Sequence, residues 1–323
     1  MSTVADVKKI EPEHDAEKLH SYVPDISIAQ RYVHRDVSGV NDFDLLDTCM
    51  DRKWNILFRG PTGSGKTMMP RAYAAERRIP YYAVPCDISL EPTALLGRMM
   101  PTKIAGKFRW QDGPVTQLAR TGGVLDLSEV NMAAQRVMAA LFPLLDERRE
   151  LPLLQHEGEI VQAHPRLLVV ADCNPGYRGT QELNEAFLNR FAMKIPWGYD
   201  SDVEKALVKL PRLLQMVGQL RANAGVRTDV STNSMMTFVD IATDLGYKLA
   251  ETCFVDGFSP AERQSVQQVL DAHSSELKVE LALLQKKQTK GLKQEEVPKA
   301  AWDPSWNVTV TETAADFVFQ EAS

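Results

Sequence analysis

The sequence predicts an α/β fold: a mostly parallel sheet with helices on both faces, followed by a small helical C-terminal domain. Three observations carry this. A short apolar run at 54–58 passes through a glycine-rich turn into a stretch of helix-forming composition at 68–77. Apolar runs then alternate with helical spacing as far as residue 195, the pattern of successive βα units. Beyond Trp197, Gly198 and Tyr199 only helical spacing remains.

The turn reads Gly60, Pro61, Thr62, Gly63, Ser64, Gly65, Lys66, Thr67 and fits G-x-x-x-x-G-K-[ST] at every required position. Strand, glycine turn and helix start are what phosphate binding needs. Glycines let backbone N–H groups close around a phosphate, and the helix N-terminus adds positive dipole. Lys66 is expected to reach the β- and γ-phosphates, and the Thr67 hydroxyl to ligate Mg²⁺, so ATP and Mg²⁺ are the expected cofactors.

Taken in order, residues 1–37 are polar, with Pro12 and Pro24 as breakers, and are expected to wrap onto the surface. Tyr32 and Val33 suit either a nucleotide base or ordinary packing under the first helix. That helix is expected at 42–50. Strands follow at 54–58 and 81–85, a short helix at 90–96, and an irregular insertion at 99–113 carrying Lys103, Lys107, Phe108, Arg109 and Trp110. A third strand is read at 124–128 and a helix at 132–149, from apolar spacing at Val137, Leu141, Leu144 and Leu145. A hairpin spans 151–161 around His156, Glu157, Gly158 and Glu159. A strand at 166–171, a helix at 182–189 and a strand at 192–195 close the sheet. Helices are expected at 202–224, 231–250 and 260–286. The domains are therefore 1–37, a wrapping segment; 38–198, a nucleotide-binding αβα unit; 199–285, a helical lid; and 286–323, linker and tail. The charged linker at 286–299 precedes an apolar stretch with Trp302, Trp306 and Phe317.

Composition narrows the function classes. Of 323 residues, 44% are hydrophobic and 25% charged, as in soluble globular proteins. A net charge of −6 argues against a nonspecific nucleic-acid coat. The four cysteines, Cys49, Cys86, Cys173 and Cys253, form no C-x-x-C pair, which suits reduced thiols in a cytoplasmic protein. No apolar run approaches the ~18 residues of a membrane span, and the N-terminus has no signal-peptide core. The six histidines show no ligand spacing.

The chemistry should gather at the strand ends. The strand at 124–128 ends in Ser128-Glu129, where hydrolases with this loop carry Asp-Glu: the Asp orients Mg²⁺ and the Glu polarises the attacking water. Glu129 fills the second role. Ser128 holds the metal-side position without charge, and Asp126 lies on the same strand face but ~6–7 Å deeper, able to replace the missing carboxylate only if the strand shifts register. The next strand offers Asp172 and Asn174 on one face. Asn174 is read as orienting the lytic water. Asp172 is read as supplying the carboxylate that Ser128 lacks, so the metal set is Thr67, Ser128 and Asp172. Arg190, at the end of the following helix, is read as a finger reaching the γ-phosphate of a neighbouring subunit.

The phosphate loop, Gly122 to Ala133, and Cys173 to Phe191 with its Asn-Pro-Gly-Tyr start and Asn-Arg-Phe end resemble the MoxR-type AAA+ ATPases, closest to the CbbQ/NorQ and cobaltochelatase small-subunit branch. The resemblance covers roughly 24–275. It implies an AAA+ P-loop NTPase core with a helical lid, ring hexamers with ATP sites between subunits, and two pore-facing insertions at 99–113 and 151–161. It also implies a partner bearing a von Willebrand factor A domain, in metal insertion or remodelling of a client enzyme; some relatives are carried by bacteriophages. Two departures stand out. Ser128 replaces the Walker B Asp, and Asn233 stands where the lid arginine, sensor 2, is expected, leaving Arg227 or Arg263 as substitutes. The main expectation is an ATP-driven hexameric remodeller. The alternatives are a nucleotide-gated scaffold with weak hydrolysis, and a DNA-handling motor whose insertion lines a pore with Lys103, Lys107, Arg109 and Trp110.

Overall fold

A computed structural model describes residues 22–104, 106–175 and 182–291. The expectations for 1–21, for the 176–181 part of the Cys173–Phe191 block, and for the apolar stretch at 302–319 lie outside the described residues. The chain enters through a short helix α1 (Ser27–Gln30) and a small hairpin, β1 (Asp36–Val37) with β2 (Val40–Asn41). The Asn41 side chain accepts the Phe43 N–H and so caps α2 (Asp42–Arg52), which Lys53 ends in a left-handed conformation. Then come β3 (Ile56–Arg59), α3 (Met68–Arg77) and β4 (Tyr81–Pro85), where the sequence pattern places them.

The next segment departs from expectation. After α4 (Pro92–Leu96), the stretch read as irregular is an antiparallel hairpin, β5 (Gly97–Pro101) with β6 (Phe108–Asp112), and Met99 faces Trp110. Both its faces are largely solvated, so no apolar alternation marked it. Helix α5 (Pro114–Thr121) leads into β7 (Gly123–Ser128). The expected long helix is shorter: a 3-10 turn takes up Val130–Met132 and α6 spans Gln135–Leu145. It stops because Asp146 is extended and Arg149 left-handed.

A second hairpin, β8 (Glu150–Leu153) with β9 (Glu159–Gln162), precedes β10 (Leu167–Cys173), the single-turn α7 (Glu185–Leu188) and β11 (Met193–Pro196). Two of the expected long helices are each broken in two. The first divides into α8 (Ser201–Val208) and α9 (Pro211–Ala222), because Lys209 is left-handed and Pro211 fits only a helix start. The second divides into α10 (Thr232–Asp244) and α11 (Tyr247–Asp256) at Gly246, where φ is +99°. Finally α12 (Arg263–Gly291) continues past 286, where a linker was expected to start. Among the described residues no helix is long and apolar enough to cross a membrane.

The main sheet has the order β11-β3-β10-β7-β4, and every neighbouring pair is parallel. Side-chain alternation sends Ile56, Phe58, Val124, Leu168 and Val170 to the face covered by α2 and α3. Leu57, Leu125, Leu127, Val169 and Ala171 go to the other, under α5, α6 and the second hairpin. The C-terminal helices form a separate core around Leu213, Met216, Phe238 and Leu270. The α/β reading of the chain is the observed fold.

Candidate active site

The phosphate loop joins the buried β3 to α3, with Gly63 and Gly65 at φ +68° and +91°, conformations that cost a side-chain-bearing residue energy. Gly60 is required for space: a Cβ there would lie 1.9 Å from the Trp197 carbonyl oxygen. Lys66 is 6% exposed, and its Nζ donates to the Gly60 and Pro61 carbonyls at 3.0 and 2.7 Å. Burial pulls its pKa down, while the charge of Asp172 opposes that. Ser64 Oγ donates to Pro61 O at 2.8 Å.

The loop is held from outside by residues whose roles sequence reasoning missed. Buried Asp42 accepts from Tyr32 Oη at 2.5 Å and from the Arg35 N–H at 3.0 Å, which fastens the entering chain. Arg35 then lies with its guanidinium 4.5 Å from the Trp197 ring centroid, donating to Ser64 O and to Gly198 O. Trp197 Nε1 also donates to Ser64 O, at 3.2 Å, and Tyr199 Oη donates to Thr62 O at 3.0 Å. Tyr32 stacks on Phe43, ring centroids 5.3 Å apart, which is ordinary packing under the first helix. The break at 197–199 was the only sequence signal for this clamp.

The ends of β7 and β10 bring the candidate catalytic groups together. Ala171 pairs with Leu127, so Asp172 stands level with Ser128 on the adjacent strand, and both project toward α3. Asp172 is 2% exposed. Its Oδ2 lies 3.5 Å from Thr67 Oγ1, and its Oδ1 accepts the Glu129 N–H at 3.3 Å. Burial raises its pKa, and Lys66 counteracts this. Glu129 is left-handed, at φ +56°, and its carboxylate accepts from Asn174 Nδ2 at 3.1 Å. Asn131 Nδ2 holds Asn174 O at 3.1 Å. Ser128 Oγ and Asn174 Oδ1 are buried without a partner among the described residues.

Asp126 is excluded from this cluster. No register shift brings it up. It is fully buried, it accepts Tyr81 Oη at 2.7 Å, and burial raises its pKa well above its ordinary value, which disfavours the charged form. The site fits Mg²⁺ through its donors: an alcohol oxygen of the loop beside a buried carboxylate, which suits a cation that brings phosphate oxygens with it. Among the described residues no three His, Cys, Asp or Glu gather into a self-sufficient cage.

Arg190 lies apart from this cluster. Asn55 Nδ2 donates to Arg190 O at 2.8 Å, which puts Arg190 at the start of β3, about 16 Å along the strand direction from the loop at its end. Its guanidinium sits 4.0 Å from the Phe142 ring centroid and donates to Ala186 O. At the start of α10, Ser231 and Asn233 back onto Gly63, where an added Cβ would meet Ser231 Cβ at 2.6 Å. Arg263 is engaged elsewhere, with Asp256 and Phe258 O, and Arg227 is exposed beside Glu262, which holds its backbone N–H. On the C-terminal helices, Arg221 reaches the loop's surroundings. It pairs with Glu204 and lies 4.0 Å from the ring of Tyr199, the residue bonded to Thr62.

The two hairpins are joined. Arg120 of α5 binds Glu159 of β9 through both terminal nitrogens, at 2.6 and 2.7 Å, and Asp112 of β6 through Nε at 2.8 Å. The charge-assisted bond from Arg120 holds the Glu159 pKa down at about 2. Trp110 stacks on His156, with centroids 4.9 Å apart, and donates to Asp112.

Residues 55–191 match the AAA domain (dynein-related subfamily). Two Staphylococcus aureus proteins, from strains USA300 and NCTC 8325 and each described as uncharacterized, are 31% identical over 245 residues, covering 75% of this chain and 92% of theirs. The crystal structure of a "putative ATPase" from Cytophaga hutchinsonii overlaps 79% of this chain and 85% of its own, at 18% identity and a TM-score of 0.43. With its phosphate loop and parallel sheet, the chain carries an AAA domain of the dynein-related subfamily and belongs to one family with these staphylococcal proteins.

Proposed function

We propose that the protein is a MoxR-type AAA+ ATPase that binds and hydrolyses Mg-ATP in an oligomeric ring, a hexamer, to remodel or activate a partner protein complex. A von Willebrand factor A domain protein is the expected companion. The observation that carries this reading is the convergence of Lys66, Thr67, Asp172, Glu129 and Asn174 at the carboxyl ends of three adjacent strands. Lys66 binds phosphate oxygens once it leaves the loop carbonyls. Thr67 and Asp172 would hold Mg²⁺, which when bound neutralises charge on the β- and γ-phosphates. Glu129 polarises the attacking water, and Asn174, bonded to it, orients both.

The placement of Arg190 supports a ring. It lies too far from its own loop to act there, so a finger role requires a neighbouring subunit. The hairpins support contact with a protein client, since Met99, Ile104, Phe108, Leu154 and Ile160 are all exposed. The aromatic that the DNA-handling reading names, Trp110, is occupied with His156 and Asp112, and of the insertion's two aromatic rings Phe108 stays exposed. The scaffold reading rests on Ser128. A steady-state ATPase assay separates the two: Mg-dependent turnover that falls at least ~100-fold in Glu129→Gln, with ATP binding kept, supports the motor. Turnover no higher than background in the native chain favours the scaffold. Mass measurement with and without ATP tests the ring.

A further inference from the structure

We propose that the metal-orienting carboxylate of this site has moved sideways by one strand, from β7 to Asp172 on β10, and that the same carboxylate also fixes Glu129. The proposal rests on the Mg-ATP reading above. Ser128 and Asp172 are at one height, on one face, on strands that lie about 4.8 Å apart. An ion against Thr67 is therefore within the reach of either position, and the charge stands on β10. Ser128 keeps a small hydroxyl whose Oγ is buried and has no hydrogen-bond partner among the described residues.

The surroundings of Asp172 say what it lacks. At 2% exposure it has contacts at 3.5 Å to Thr67 Oγ1 and 3.3 Å to the Glu129 N–H, both long for hydrogen bonds to a carboxylate. Lys66, the cation that acts on it, directs two of its three protons to the Gly60 and Pro61 carbonyls. A buried carboxylate so weakly matched is costly unless a cation completes it. Its two oxygens face different tasks. Oδ2 faces Thr67, and Oδ1 accepts the N–H of Glu129, whose left-handed backbone is uncommon for a non-glycine residue. Metal binding and the aim of the water-polarising glutamate thus meet at one side chain.

The test measures fluorescent-ATP affinity with Mg²⁺ and with EDTA, and Mn²⁺ affinity in the presence of ATP by electron paramagnetic resonance. The variants are Asp172→Asn, Ser128→Asp, and the exchange Ser128→Asp with Asp172→Thr. Asp172→Asn keeps the shape and an acceptor for Glu129. It is expected to lower Mn²⁺ affinity and the Mg²⁺-dependent gain in ATP affinity about 10–100-fold, with metal-free affinity within about threefold. The exchange should return the metal gain to within about threefold of the native chain, because it puts the charge back at the same height. Should Asp172→Asn fail to fold, Ser128→Asp alone decides: two carboxylates at one ion tighten Mn²⁺, and unchanged Mn²⁺ affinity overturns the proposal. A metal gain preserved in Asp172→Asn, or an exchange no better than that single variant, also overturns it. Native protein that binds no ATP even in EDTA overturns the underlying Mg-ATP reading as well.

Discussion

Arg35→Met tests whether the phosphate loop is shaped from outside. The substitution keeps an unbranched stem against Trp197 and removes the fork that donates to Ser64 O and Gly198 O. Hydrogen bonds from a charged donor contribute about 1.5–3 kcal/mol each, and the ring contact about 0.5–1 kcal/mol. Desolvation of the guanidinium offsets several kcal/mol of this. Neither carbonyl is then orphaned, since Ser64 O keeps the Trp197 Nε1 bond and Gly198 is exposed to water. The net cost is therefore about 1–3 kcal/mol, and because it falls on the loop, ATP affinity should drop about 5–150-fold. The assay is fluorescent-ATP titration in EDTA, which removes any metal contribution, paired with a thermal melt. Affinity within about twofold of the native chain would refute the idea that Arg35 organises the loop.

Arg190→Ala should leave ATP binding intact and lower turnover about 10³-fold or more; a fall below about tenfold counts against action across a subunit boundary. Glu262 accepts from the backbone of Arg227, Thr228 and Ser259 and from the hydroxyls of Thr228 and Ser259, and these bonds bring its pKa down from 4.5 to about 2. A depressed carboxylate stabilises the fold above its ordinary pKa and loses that effect as pH falls through its folded one. Glu262→Gln should therefore melt lower than the native chain at neutral pH, with the gap closing from pH 4.5 toward about 2; a gap independent of pH would count against this.

Much of the site was legible because it follows from local rules. The glycine loop, the apolar runs at β3, β7 and β10, and the helix start at Met68 are short-range patterns, and β period fixed which side chains share a face. What was not legible depends on distant chain. Arg35 meets Ser64 and Gly198 only because Asp42 fastens the entering segment, and no spacing encodes that. The level standing of Ser128 and Asp172 needs the observed register; sequence gave the face but not the height. The first hairpin was missed because both its faces are wet, and the breaks at Pro211 and Gly246 were overrun by apolar spacing that continues through them.

The rivet at Arg120 has a mechanical corollary. Two arms that leave the chain some forty residues apart share one fastening, so a tug on either tip is felt by both. The fastening sits on the helix that precedes β7, and Glu129 follows the far end of that strand. In the proposed motor, load on the hairpin tips and the aim of Glu129 would share a single lever.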